Sequence, residues 1–266
     1  MIPALLIAVV VAGCGNDNSS EVSQVTVESR RAAIDSAMEH LNSGRVNEAL
    51  AIVSTLESKD SKSPQTQETY ATILLASSLN FDKEGNISKG DEHRQRALDA
   101  YIAACKYSSA PGLLQLSTAQ LAQMLGNTEV AKKYYKLAHA SNTADGRPAF
   151  FLTQLFLLNK EWKEAQHWVQ ESLLRDPNEP FTILSSALIE AELGNLTKAT
   201  ELAAKGCEIL PNEPTLRFMQ ARVIRLSGSP VQALEIILSL PKDMLSTPLV
   251  KEEQNLCLTQ IEVGEH

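Results

Sequence analysis

Residues 194–211 read Gly194-Asn-Leu-Thr-Lys-Ala-Thr-Glu-Leu-Ala-Ala-Lys-Gly-Cys-Glu-Ile-Leu-Pro211, and residues 160–177 read Lys160-Glu-Trp-Lys-Glu-Ala-Gln-His-Trp-Val-Gln-Glu-Ser-Leu-Leu-Arg-Asp-Pro177. The two stretches align at an offset of 34 residues: Ala165 matches Ala199 and Pro177 matches Pro211. The same interval extends outward in both directions, since Ala97, Ala131, Ala165, Ala199 and Ala233 are spaced by 34. Five residues before four of them stand Gly126, Lys160, Gly194 and Gly228. At such a position one helix stops and the chain turns into the next. Asp-Pro177-Asn-Glu-Pro180 and Leu-Pro211-Asn-Glu-Pro214 end one unit and start another with a helix-opening proline. A fixed period of this length is the mark of a repeat architecture, in which each unit buries its apolar face on its neighbours.

The composition agrees. Of 266 residues only 12 are Gly, 11 Pro and 5% aromatic, and the chain is rich in Ala and Leu, which favour helices over sheets. The quoted segments resemble the second half of a tetratricopeptide repeat (TPR), with the spaced alanines at the family's small position, where the two helices of a repeat approach closely. The resemblance implies an all-α, right-handed α-solenoid of six helical hairpins, at 30–63, 64–111, 112–145, 146–179, 180–213 and 214–247, followed by a capping helix at 248–263. Gly44-Arg-Val-Asn-Glu-Ala49 repeats the pattern at the N-terminal end, but Ala49 and Ala97 are 48 residues apart. The excess of 14 over the usual 34 is expected to form a longer connection around 81–92. Lys160 departs from the family by replacing the usual Gly.

In TPR proteins the concave face is lined mainly by the first helix of each unit. Carried over by phase, the binding candidates are Leu116, Gln120 and Gln123 in the third unit and Phe150, Gln154 and Leu157 in the fourth. The fifth offers Leu184, Leu188 and Ala191, and the sixth Phe218, Arg222 and Arg225. Such a groove suits an extended peptide or amphipathic helix from a partner protein.

The N-terminal end carries a different signal. Residues 2–13 are uncharged and apolar and run into Cys14. As a helix these twelve residues would span roughly 18 Å, short of the ~30 Å hydrocarbon core, which fits the apolar region of an export signal. Val11-Ala12-Gly13-Cys14 resembles the lipobox of bacterial lipoproteins. That resemblance implies cleavage after Gly13, a lipid on Cys14 and, with Gly15 rather than Asp following, the outer membrane facing the periplasm. Residues 14–29 are polar and read as the lipidated Cys and a flexible tether. Two or more acyl chains make such anchoring stable.

Catalytic and metal motifs are absent from the sequence: there is no G-x-S-x-G, G-x-x-x-x-G-K, H-E-x-x-H or G-x-G-x-x-G. His40, His139 and His167 read as solvated helix residues. Asp82-Lys-Glu84-Gly-Asn86 opens like a calcium loop, but Ile87 stands where the turn needs Gly and His93 where the bidentate Glu belongs. Cys105, Cys207 and Cys257 read as packing residues, too far apart along a solenoid for a disulfide. The net charge of -8 argues against nucleic acid, whose affinity rests on clustered Lys and Arg. No metal, cofactor or small-molecule substrate is expected. The sequence therefore points to a non-enzymatic, membrane-anchored scaffold or assembly factor for an envelope complex, of the kind found in pilus, secretion or outer-membrane machinery. Two other readings stay open at this level: a contact activator of a cell-wall enzyme, and, since no Lys or Arg precedes the apolar run, a soluble cytosolic adaptor.

Overall fold

The computed structural model describes residues 25–142 and 144–264. The expected signal sequence, the lipidated Cys14 and most of the tether lie outside the described residues. Fourteen helices and no strand occur among the described residues. Twelve pair as six antiparallel hairpins: α1 (Val27–Asn42) with α2 (Val46–Asp60), α3 (Pro64–Lys83) with α4 (Ile87–Tyr107), α5 (Gly112–Met124) with α6 (Thr128–Ser141), α7 (Arg147–Leu158) with α8 (Trp162–Arg175), α9 (Pro180–Glu192) with α10 (Leu196–Ile209), and α11 (Pro214–Leu226) with α12 (Pro230–Leu238). A single turn, α13 (Lys242–Leu245), precedes α14 (Pro248–Gly264). Each second helix packs on the first helix of the next hairpin, so the molecule is a solenoid whose stability is shared along the stack.

The period has a physical basis at two positions of every unit. Ala49, Ala97, Ala131, Ala165, Ala199 and Ala233 are all fully buried where paired helices meet. The turns close in the left-handed region: Gly126 has φ +73° and Gly194 φ +84°. In the first of these, Gly126 N–H donates to the Gln123 carbonyl at 3.0 Å and Asn127 N–H to the Ala122 carbonyl at 2.8 Å. This is the Schellman arrangement, which satisfies the last carbonyls of the first helix. Lys160 makes the same turn at φ +57°, with Lys160 N–H on Leu157 at 3.0 Å and Glu161 N–H on Phe156 at 2.9 Å.

The structure corrects three boundaries. The extra 14 residues of the second unit do not form a long connection around 81–92: α3 has 20 residues against 13 in α5, and α4 has 21 against 14 in α6. Only Glu84, Gly85 and Asn86 join them. Seven residues are close to two helical turns, so the insertion preserves both helix faces and simply lengthens the hairpin. Residues 27–29, expected in the tether, begin α1, because the Thr26 hydroxyl accepts from Ser29 N–H at 3.1 Å and caps the helix. The sixth unit ends at Leu238 rather than 247, with Pro241 opening the extra turn α13.

A candidate protein-binding face on the first helices

First helices meet directly at α1 with α3, at α7 with α9 and most extensively at α9 with α11, whereas α5 reaches α7 through α6. At hairpins five and six the expected groove is closed. Leu184 and Leu188 are buried, and so is Ala191. Gly206 on α10 leaves a hollow that Leu184 fills: a Cβ at Gly206 would lie 1.6 Å from Leu184 Cδ2. Leu188 and Ala191 share a core with Leu216 and Val223 because α9 packs directly on α11. Phe218 is buried with Ile237, Val250 and Cys257. The two arginines do not face a ligand either. Glu253 of α14, itself buried, receives Arg225 Nε and lies 3.5 Å from Arg222 Nε. The capping helix packs on α12 and α11, the place of a seventh first helix, so this end of the groove is occupied by the chain itself. Leu116 in α5 is also buried, within the central core.

The face stays open on α5 and α7. Gln120 is exposed, and Phe150, Gln123, Gln154 and Leu157 are half-buried. Two of the glutamines are already engaged. Gln123 Oε1 accepts from the Tyr135 hydroxyl at 2.7 Å, and Gln154 Nε2 donates to Ser185 Oγ at 2.9 Å, tying α7 to α9. Beside them stand three residues that the chosen phase missed: Leu113 is 70% exposed, Met124 63% and Leu158 76%. On α5, Leu113, Gln120 and Met124 follow at helical spacing along one stripe, and on α7 Arg147, Gln154 and Leu158 repeat it 34 residues later. That offset was visible in the sequence: Met124 and Leu158 lie one position beyond Gln123 and Leu157, and Leu113 three before Leu116. Single exposed leucines are ordinary, whereas a set repeated at the 34-residue offset on the first helices of successive units is a candidate interaction surface.

At the N-terminal ends of α7 and α9 this face reaches a cavity of about 480 Å³ lined by Phe150, Phe151, Phe181, Arg147, Arg175 and Thr182 among others. Phe151 stacks on Tyr135 with centroids 5.3 Å apart, and Phe150 meets Phe151 edge-on at 5.6 Å. Both arginines of the lining are paired, while Asp176 and Glu179 add two further carboxylates to it. Arg147 Nη2 lies 2.7 Å from Asp145 and holds that carboxyl below its ordinary pKa, and Arg175 Nη1 at 2.8 Å does the same for Glu171. The cavity therefore offers aromatic surface beside a net acidic edge.

Ionisable groups elsewhere serve packing. Glu190 is buried at the junction of three helices, where burial would raise its pKa. Hydrogen bonds from Lys198 at 2.7 Å, Asn195 at 2.7 Å and Gln166 at 3.1 Å outweigh that and lower it. His139, expected in solvent, is instead half-buried edge-on against Trp168, with Glu171 at 3.4 Å and Arg175 at 3.2 Å. Burial first, then Arg175, lowers its pKa. Cys105 and Cys207 reach from second helices to the next unit, Sγ to Thr118 Oγ1 at 3.3 Å and to the Leu216 carbonyl at 3.8 Å, and burial raises both thiols. Among the described residues no group of three His, Cys, Asp or Glu is placed to hold a metal, and no helix is long and apolar enough to cross a membrane.

No protein-family model matches the chain, and no curated protein resembles it in sequence. Solved structures do match in fold. A tetratricopeptide repeat protein from Parabacteroides merdae superimposes with a TM-score of 0.61 at 16% identity, over 90% of this chain and 93% of its own. PilF of Pseudomonas aeruginosa gives 0.58 at 16% identity, over 86% and 97%. YrrB, described as a TPR protein with an unusual peptide-binding site, gives 0.55 at 15% identity, over 79% and 97%. With 16% identity or less to each of these three, the likeness lies in architecture: the chain folds as an α-solenoid of the TPR type.

Proposed function

We propose that the chain is a lipid-anchored scaffold of a bacterial envelope, facing the periplasm from the outer membrane and holding a partner protein on the exposed face of α5 and α7 during assembly of an envelope complex such as a pilus, secretion or outer-membrane machine. The observation that carries the binding role is the aligned apolar stripe of Leu113, Met124 and Leu158 with Gln120 between the first two, open to solvent in the middle of a solenoid whose far end is closed by α14. A partner segment laid across the two helices gains apolar burial from the leucines and a hydrogen-bonding handle from Gln120. The anchor rests on Val11-Ala12-Gly13-Cys14 at the end of the apolar run.

Both halves are open to test. Cys14→Ser moves the protein from the membrane to the soluble fraction; a variant as membrane-bound as the parent contradicts the anchor. Leu113→Glu with Leu158→Glu, both at exposed positions, abolishes envelope crosslinks to the partner while the melting temperature stays within a few degrees. Undiminished crosslinks in that variant contradict the face.

A further inference from the structure

The lengthened second hairpin projects seven residues, about 10 Å, beyond the ends of the helices that follow it. The projection is firmly built. Arg94 holds Asp82 through two hydrogen bonds, at 2.7 and 3.2 Å, and Asp91 through two more, at 2.9 and 3.3 Å. Gly90 lets α3 and α4 close on this cluster, since a Cβ there would sit 2.4 Å from Asp82 Oδ1. Phe81 meets His93 edge-on with centroids 5.0 Å apart.

Beside it, where α5 stops, the projection borders a cavity of about 1040 Å³. Leu75, Leu79, Met124 and Leu125 give it an apolar floor, and Leu79 is 59% exposed. Asp82, Asp91 and Glu92 supply three carboxylates against the one guanidinium of Arg94. The last turn of α5 has no basic residue, so the negative end of its dipole adds to that rim. Apolar floor and acidic rim together select an occupant with the opposite edge charge.

We infer that this overhang docks an apolar, basic segment of a partner protein, its hydrophobic side chains on Leu75, Leu79 and Met124 and its Lys or Arg side chains against Asp91, Glu92 and the end of α5. The inference rests on the scaffold reading and gives one end of its surface the chemistry of the partner, Met124 being common to both.

The probes are two fluorescein-labelled 14-residue amphipathic peptides, one of Leu and Lys and one of Leu and Glu, titrated against the full chain by fluorescence anisotropy. The Leu/Lys peptide binds at least tenfold tighter. Leu79→Gln and the pair Asp91→Lys with Glu92→Lys each weaken it at least tenfold, whereas Glu201→Lys with Glu208→Lys, an equal charge change on exposed α10, leaves it within twofold. In the parent protein the peptide slows amide exchange across residues 75–95, a readout that needs no variant. Equal binding of the two peptides, equal loss in the α10 control, or unprotected amides at 75–95 overturns the inference. So does a dimer in light scattering that Leu79→Gln dissociates, because the occupant is then a second copy. Loss of crosslinks in the Leu113→Glu, Leu158→Glu variant alongside any of these failures leaves the scaffold reading standing and removes only this site.

Discussion

Lys160 holds a left-handed turn, φ +57°, that five glycines hold elsewhere among the described residues. A side chain in that region costs ~1–2 kcal/mol, and the greater freedom of glycine in the unfolded chain returns ~0.4–1. Lys160→Gly therefore stabilises by about 0.5–1 kcal/mol, read as a higher urea midpoint at unchanged slope. Ala199 is the opposite case, a fully buried residue in the core that α9 and α10 share. Ala199→Leu overpacks that core and costs ~1–3 kcal/mol; an unchanged melting temperature contradicts the assigned register. The histidines set the pH response. Burial lowers the pKa of His93 and His139, and each has a buried Nδ1 without a hydrogen-bond partner. The unfolded chain takes up those protons first, near its ordinary pKa of about 6.5, so stability is full above that value and falls as the pH drops below it. The carboxyl groups of Asp60, Glu171 and Glu190, held below their ordinary values, add their loss only at lower pH, below about 4.5. Urea midpoints at pH 7 and pH 5 differ in the parent, and the double substitution His93→Gln, His139→Gln narrows the difference.

At the scale of elements, α14 is fastened by charge as well as by packing. Val250 and Cys257 enter the core of the sixth hairpin, and Glu253 sits between Arg222 and Arg225. Glu253→Ala leaves Arg225 buried without its counter-ion, which costs ~3–5 kcal/mol when no relaxation occurs. Because α14 meets the solenoid chiefly through α11, α12 and the short α13, it loosens before the rest: amide exchange speeds up across 248–264 and in α12 while α5 to α8 keep their protection. Here the sequence was partly misleading. Alanine and glycine at fixed spacing made the hairpins legible, since both residues answer to local backbone and packing demands. Arg222 and Arg225 looked like ligand-binding cations because the phase argument places them on the first-helix face. Nothing local shows that a helix thirty residues later supplies Glu253 to meet them. Leu184, Leu188 and Phe218 failed as groove residues for a related reason: how closely successive first helices pack depends on residues such as Gly206 in other elements. The 14-residue excess was visible as a number, but its division into seven and seven follows from helix continuity, which spacing between distant alanines does not record.

For the whole molecule, the charge of -8 belongs to a body held near a membrane by a lipid in the proposed arrangement, since an acidic surface gains nothing from anionic headgroups. The open stretch of first helices lies between a projecting second hairpin and an end sealed by α14, so partner binding is expected in the middle of the solenoid rather than along its length. A photo-crosslinking amino acid placed singly at Gln120, Leu158, Lys133 and Glu201 in the full chain, followed by irradiation of intact cells, tests that placement. All four positions are solvent-accessible, two on the first helices α5 and α7 and two on the second helices α6 and α10. The account predicts one common protein adduct at 120 and 158 and none at 133 or 201. Adducts of equal yield at all four positions, or at 133 and 201 alone, would contradict it.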